Sequence, residues 1–208
     1  MLKRQSQVRL AELQDETVDI LYSIDPNAVL HGGTAIWRCL QGNRFSEDID
    51  CYSLAGKNFR AKLEAELKKR NLILKKFKES ENTVFSKISN SQTEVSLEVS
   101  KRKSPEKIQA SFEKSDGSST EIFTLSIEGF IIEKVDAFLN RRLIRDLYDL
   151  WFLSSKTEKI EKSRKALEKL FKNYKVPVDE KNLKTIVFSG IAPPSKAMLE
   201  KILQRLSQ

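Results

Sequence analysis

Apolar residues recur at helical spacing over residues 8–24, where Leu10, Leu13, Val18 and Leu21 form one stripe, and Asp25-Pro26 ends the pattern as a turn. Residues 27–30 then read as a short strand entering His31-Gly32-Gly33. Residues 34–40 follow as a helix for which Thr34 is the candidate cap. Strands are predicted over 49–54 and 72–77, with a helix over 59–70 between them that turns Leu63 and Leu67 inward. Two alternating segments, 83–89 and 93–99, flank Asn90-Ser91-Gln92 and predict a hairpin. Residues 101–119 are polar and contain Pro105 and Asp116-Gly117, so they read as a mobile loop or broken hairpin leading to a strand over 120–127.

Beyond that point the period is helical throughout. Ile131, Val135, Phe138 and Leu139 form one stripe, and Leu143, Leu147, Leu150 and Trp151 another. A charged helix follows over 158–174, and Ala192-Pro193-Pro194-Ser195 introduces a last one over 196–206. A mixed first part and a helical second part predict an α+β fold: residues 1–128 form the mixed portion with its leading helix, and 129–208 a helical C-terminal part.

Composition narrows the function classes. At 208 residues, with 39% hydrophobic and 32% charged positions, the chain has the profile of an ordinary globular protein. Its uncharged apolar runs fall far short of the roughly 18 residues that span a bilayer. Lys3 and Arg4 are followed by Glu12, Asp15, Glu16 and Asp19 rather than by an apolar segment, so a cytoplasmic location is expected. Cys39 and Cys51 lack metal-ligand spacing and read as reduced, packed thiols. A single histidine, His31, removes multi-histidine zinc sites from consideration. Chemistry is left to carboxylates, lysines and backbone amides.

The first candidate group is Asp48-Ile49-Asp50. On a strand the two carboxylates share a face about 7 Å apart while Ile49 points to the core, an arrangement suited to hard divalent cations and equally to two solvated acids. Gly32-Gly33 between a strand and a helix lets backbone amides approach a phosphate, with the helix dipole in support; the alternative is a plain tight turn. On the strand after residue 93, Glu98 faces away from Val95, Leu97 and Val99, as a third acid or as an exposed glutamate. Ser46, two residues before Asp48, joins the nucleotide-binding candidates by proximity. Lys134, Arg145, Asp146 and Asp149 lie at helical spacings. Lys134 and Arg145 could hold triphosphate oxygens, with Asp146 or Asp149 orienting Lys134 or accepting a proton. Spacing by itself favours plain intrahelical pairs, Arg142 with Asp146 and Arg145 with Asp149.

The ordered combination of His31-Gly32-Gly33-Thr34-Ala35, Arg44-Phe45-Ser46-Glu47-Asp48-Ile49-Asp50, Glu133-Lys134 with Arg141, and Arg145-Asp146-Leu147-Tyr148-Asp149-Leu150 resembles the AbiEii/AbiGii nucleotidyltransferase toxin family, to which MenT-type toxins belong. The likeness covers about residues 27–155. It implies a DNA-polymerase-β-like nucleotidyltransferase core with a helical C-terminal part. By the same likeness Gly32, Gly33 and Thr34 would meet the nucleotide phosphates, Asp48 and Asp50 would bind Mg²⁺ as catalytic residues with Glu98 as third ligand, Lys134 would contact the triphosphate and Asp146 would be catalytic. Two Mg²⁺ ions are the expected cofactor.

The function implied is a toxin of a toxin–antitoxin pair that moves NMP from an NTP to RNA, with a tRNA 3′ end as acceptor and a cognate antitoxin as protein partner. Two basic stretches, 62–78 and 156–175, each carry a net +5 within a chain of net +8 and suit a nucleic-acid backbone. Rival readings are transfer to a small molecule or a protein, and a non-catalytic RNA- or partner-binding protein on the same scaffold.

Overall fold

Seven strands form one mixed sheet in the computed structural model of the chain, which describes residues 4–54, 56, 58–157 and 159–206. In chain order the elements are α1 (Gln5–Ile24), β1 (Val29–His31), α2 (Gly32–Leu40), β2 (Ile49–Tyr52), α3 (Phe59–Lys69), β3 (Ile73–Glu79), β4 (Thr83–Ser89), β5 (Glu94–Ser100), β6 (Ile108–Glu113), β7 (Ser119–Thr124), α4 (Ile127–Arg141), α5 (Ile144–Lys156), α6 (Arg164–Asn173), α7 (Leu183–Ile186) and α8 (Ser195–Leu206). They fall into two units. The first comprises residues up to Gln41 together with Ser46–Thr124, and the second joins Gly42–Phe45 to the chain from Leu125 onward.

The first unit is the sheet with α1, α2 and α3. Strand order is β3-β4-β5-β2-β1-β7-β6, with β1 antiparallel to β2 and β2 parallel to β5. The α1 stripe buries Leu13, Val18, Ile20 and Leu21 completely, and it packs on α3 and β5. Edge strand β3 is half apolar and carries Lys75, Lys76 and Lys78, charges that keep an open edge from pairing with another sheet. The second unit buries Phe130, Ile131, Val135 and Phe138 of α4 against Leu147, Leu150 and Leu153 of α5, and α8 adds Met198 and Ile202.

Several boundaries depart from the pattern. Residues 108–113 of the polar stretch form β6, which pairs antiparallel with β7 across a turn containing Gly117 at φ +84, so the hairpin reading holds there. Strand β7 stops at Thr124 and α4 starts at Ile127, because Ser126 accepts a hydrogen bond from the Gly129 amide and caps the helix. Helix α6 begins at Arg164, with the Ser163 amide and hydroxyl donating to Glu128 Oε2; Glu158, the expected start, lies outside the described residues. Helix α2 begins at Gly32 rather than Thr34. His31 is its N-cap, and its side chain makes no capping bond.

Candidate functional site

In the first unit, strand register sets the candidate residues side by side. His31 pairs with Asp50 across β1–β2, and Asp50 pairs with Glu98 across β2–β5, so the three occupy adjacent strands at one level of the sheet. Asp48, exposed, immediately precedes β2. The glycine turn is molded to this level. Gly32 sits at φ +74, and a Cβ added there would lie 2.2 Å from Asp50 Oδ2, so only glycine admits the carboxylate.

Electrostatics places the acids within reach of each other. Burial raises the Glu98 carboxyl above its ordinary range, and repulsion from Asp50 and Asp48 raises it further, against an opposing pull from His31. Mutual repulsion of this kind is what a divalent cation relieves. Among the described residues no three His, Cys, Asp or Glu side chains stand close enough to enclose a metal ion by themselves. A divalent cation held by one or two of these carboxylates would complete its shell with water and substrate phosphates.

Two buried side chains hold the backbone that carries these acids. The Thr34 hydroxyl, fully buried, donates to the Asp48 carbonyl, and Gln14 Nε2 donates to the Ser46 carbonyl at 2.9 Å. Thr34 therefore meets the Asp48 backbone, and Ser46 takes part through its carbonyl. Gln14 is a residue that the sequence reading passed over. Its signal was a polar side chain four residues from both Leu10 and Val18, on the apolar stripe of α1. The His31 ring stacks on Tyr52 with centroids 4.1 Å apart and planes 9° from parallel.

The second unit contains a separate cluster. Lys134 Nζ lies 2.7 Å from Asp149 Oδ2 and 3.6 Å from Asp146 Oδ1, and all three side chains are buried. Arg44 grips Asp149 with two hydrogen bonds of 2.8 Å, and Arg141 grips Asp146 at 2.7 and 2.8 Å. The intrahelical pairs that spacing favoured, Arg142 with Asp146 and Arg145 with Asp149, are replaced by these partners. The reason is that Arg142 sits at φ +53 as the C-cap of α4, while residues 42–45 bring in a guanidinium from elsewhere in the chain. Arg145 Nε is buried with no hydrogen-bond partner. Burial pushes Asp149 up, but Arg44 and then Lys134 outweigh it and hold the carboxyl at about 2. Arg44, Lys134 and Arg141 against Asp146 and Asp149 leave one positive charge in excess.

A glycine turn pressed against a strand carboxylate on a mixed sheet, followed by a helical part, is the arrangement expected of a nucleotidyltransferase. The chain belongs to the AbiEii nucleotidyltransferase toxin family of type IV toxin–antitoxin systems, whose family model matches residues 19–207. Such a family implies a nucleotide substrate and an antitoxin partner, and nucleotidyltransferases generally use divalent metal ions. No curated protein shows a significant match. Among solved structures, JHP933 from Helicobacter pylori is similar at 20% identity and TM-score 0.66, over 100% of this chain and 92% of its own. MenT4, a nucleotidyltransferase toxin from Mycobacterium tuberculosis, is similar at 17% identity and TM-score 0.64, over 98% and 85%. These likenesses support the fold. Among the described residues no helix is long and apolar enough to cross a membrane.

Proposed function

We propose that the chain transfers a nucleoside monophosphate from an NTP to the hydroxyl end of an RNA, with a tRNA 3′ end as acceptor, in the cytoplasm. The observation that carries this reading is the Asp50 carboxylate lying against Gly32 at the N-terminus of α2, level with Glu98 on the next strand. In the reaction the acceptor oxygen forms a bond to the α-phosphorus, the bond from that phosphorus to its bridging oxygen breaks, and pyrophosphate leaves. Asp48 and Asp50 would hold Mg²⁺, two ions in this reading, with Glu98 as the third acid. Mg²⁺ bound there would supply positive charge against the triphosphate oxygens.

The chain's own groups orient this chemistry. In this reading the backbone amides at Gly32 and Gly33 face the nucleotide phosphates, and Thr34 and Gln14 fix the backbone from Ser46 to Asp48. In the second unit we assign Lys134 and Arg145 to phosphate, and to Asp146, 3.6 Å from Lys134 Nζ, the role of holding it ready. The net charge of +8 and the two basic stretches support a polyanionic acceptor.

Incubation with each labelled NTP, and with total tRNA, a small-molecule panel or no acceptor, tests the reading. Label in the tRNA band, lost in EDTA and restored by Mg²⁺, is the expected result. Label only in small molecules or on the protein itself would overturn the acceptor.

Two substitutions probe the support of the acids. Gly32→Ala is expected to lower transfer by about 10²-fold or more and to cost about 1–3 kcal/mol in denaturant unfolding, since the left-handed φ and the Asp50 contact both resist a methyl group. Thr34→Val removes the donor to the Asp48 carbonyl and is expected to reduce kcat about tenfold with little change in KM for NTP. A Thr34→Ser variant, which keeps the hydroxyl, should recover most of that loss in steady-state assays.

A further inference from the structure

A cavity of about 740 Å³ opens in the first unit at the far end of β2 from Asp48. Register fixes its relation to the carboxylates. Val29 pairs with Tyr52 and His31 with Asp50, so Tyr52 and Asp50, two residues apart on β2, share one face of the sheet. The stacked rings of His31 and Tyr52 bridge the short distance between the acids and the cavity wall.

Its lining combines two chemistries. Leu54, 70% exposed, and Phe59 line its apolar part. Around this part, among the described residues, stand Lys62, Arg102, Lys103 and Lys107 against Asp25 and Glu106. Asp25 is engaged within the chain, accepting from the Ser53 hydroxyl and the Asn27 amide. Arg102 lies over Tyr52 at 4.9 Å and donates to its hydroxyl at 3.0 Å. Among the described residues neither Lys62 nor Lys103 is paired with an acid.

A ligand that satisfies this lining has a flat apolar portion and more than one negative charge. An inorganic polyanion would leave Leu54 uncovered, and a fatty acid would bring one charge to four cations. A nucleotide meets both demands, and the volume lies within the range of pockets that hold such molecules. We propose that this cavity binds a nucleotide, as the nucleoside end of the donor NTP or as the terminal nucleotide of the acceptor RNA. The inference rests on the transferase reading of the neighbouring carboxylates.

The test is equilibrium binding in EDTA, with each of the four NTPs and a fluorescent single-stranded RNA hexamer as separate probes. Exposed positions are varied so that the fold is kept: Leu54→Asn, the double variant Lys62→Glu with Lys103→Glu, and a charge-matched control in the second unit outside both basic stretches, Lys196→Glu with Lys201→Glu. Both cavity variants are expected to weaken at least one probe by about tenfold or more while the control leaves it unchanged. Loss confined to the NTPs assigns the cavity to the donor, and loss confined to the hexamer assigns it to the acceptor. Unchanged affinity for every probe in both cavity variants, or equal weakening by the control, would overturn the proposal. Asp50→Asn is carried through the same binding assay and through the transfer assay. Transfer that survives Asp50→Asn removes the neighbouring carboxylates from the chemistry, and no transfer by the parent chain with any NTP and acceptor refutes the transferase reading, whatever the cavity variants do.

Discussion

Replacing Asp50 with Asn is expected to lower kcat/KM for nucleotidyl transfer by about 10³-fold or more while the thermal midpoint moves by only a few degrees. The substitution keeps size and hydrogen-bonding shape beside Gly32 and removes the charge. It also removes a repulsive neighbour of Glu98, whose carboxyl should fall back toward its ordinary range. Asp48→Asn is expected to behave alike, since Asp48 is exposed and contributes little packing. Labelled-NTP transfer at several Mg²⁺ concentrations, alongside thermal unfolding, decides the matter. Transfer within about tenfold of the parent in either variant would remove the carboxylate pair from the chemistry.

The second large effect is structural. Arg44→Met is expected to destabilise the protein by about 3–5 kcal/mol, because it leaves the buried Asp149 carboxylate with Lys134 alone. Acid should reveal the same interaction. A carboxyl held at about 2 when folded, against about 4 when unfolded, stabilises the folded state at all pH values above the unfolded value. That contribution, on the order of 2 to 3 kcal/mol, is lost as pH falls from about 4 to about 2. In Arg44→Met this part of the acid sensitivity should shrink, while Arg44→Met with Asp149→Leu should regain part of the stability at neutral pH. Urea unfolding at pH 7 and over pH 5 to 2 measures both. A single-variant cost below about 1 kcal/mol would show that the pair is dispensable.

Much of the first unit was legible because its pattern is local. The α1 stripe, the alternation of Val95, Leu97 and Val99, and the Gly32-Gly33 break between strand and helix are each set by neighbours within a few residues. Strand β6 was legible only as one of two alternatives, a mobile loop or a broken hairpin, because its period is blurred: of 108–113 only Phe112 is buried, and Ile108 is exposed at the sheet edge. Among the site residues, Asp50 and Glu98 stood out as acids facing away from apolar neighbours. Register then made them direct cross-strand neighbours, which spacing in the sequence does not contain. Thr34 read as a cap because hydroxyls commonly cap helices. Its actual acceptor lies fourteen residues on. Lys134 beside Asp146 and Asp149 was one of the two readings that spacing offered, whereas Arg44 was illegible because it reaches Asp149 across 105 positions of chain.

The excursion of four residues, Gly42–Phe45, out of the sheet unit and back has a practical corollary for anyone dissecting this polypeptide. The backbone crosses between the units three times, so no single cut yields two self-sufficient fragments. A piece starting at Leu125 would bury Asp149 without its guanidinium. Chimeras that exchange the helical half between relatives should therefore carry the tetrapeptide Gly42-Asn43-Arg44-Phe45 along with it, and a fragment-complementation pair should be split elsewhere.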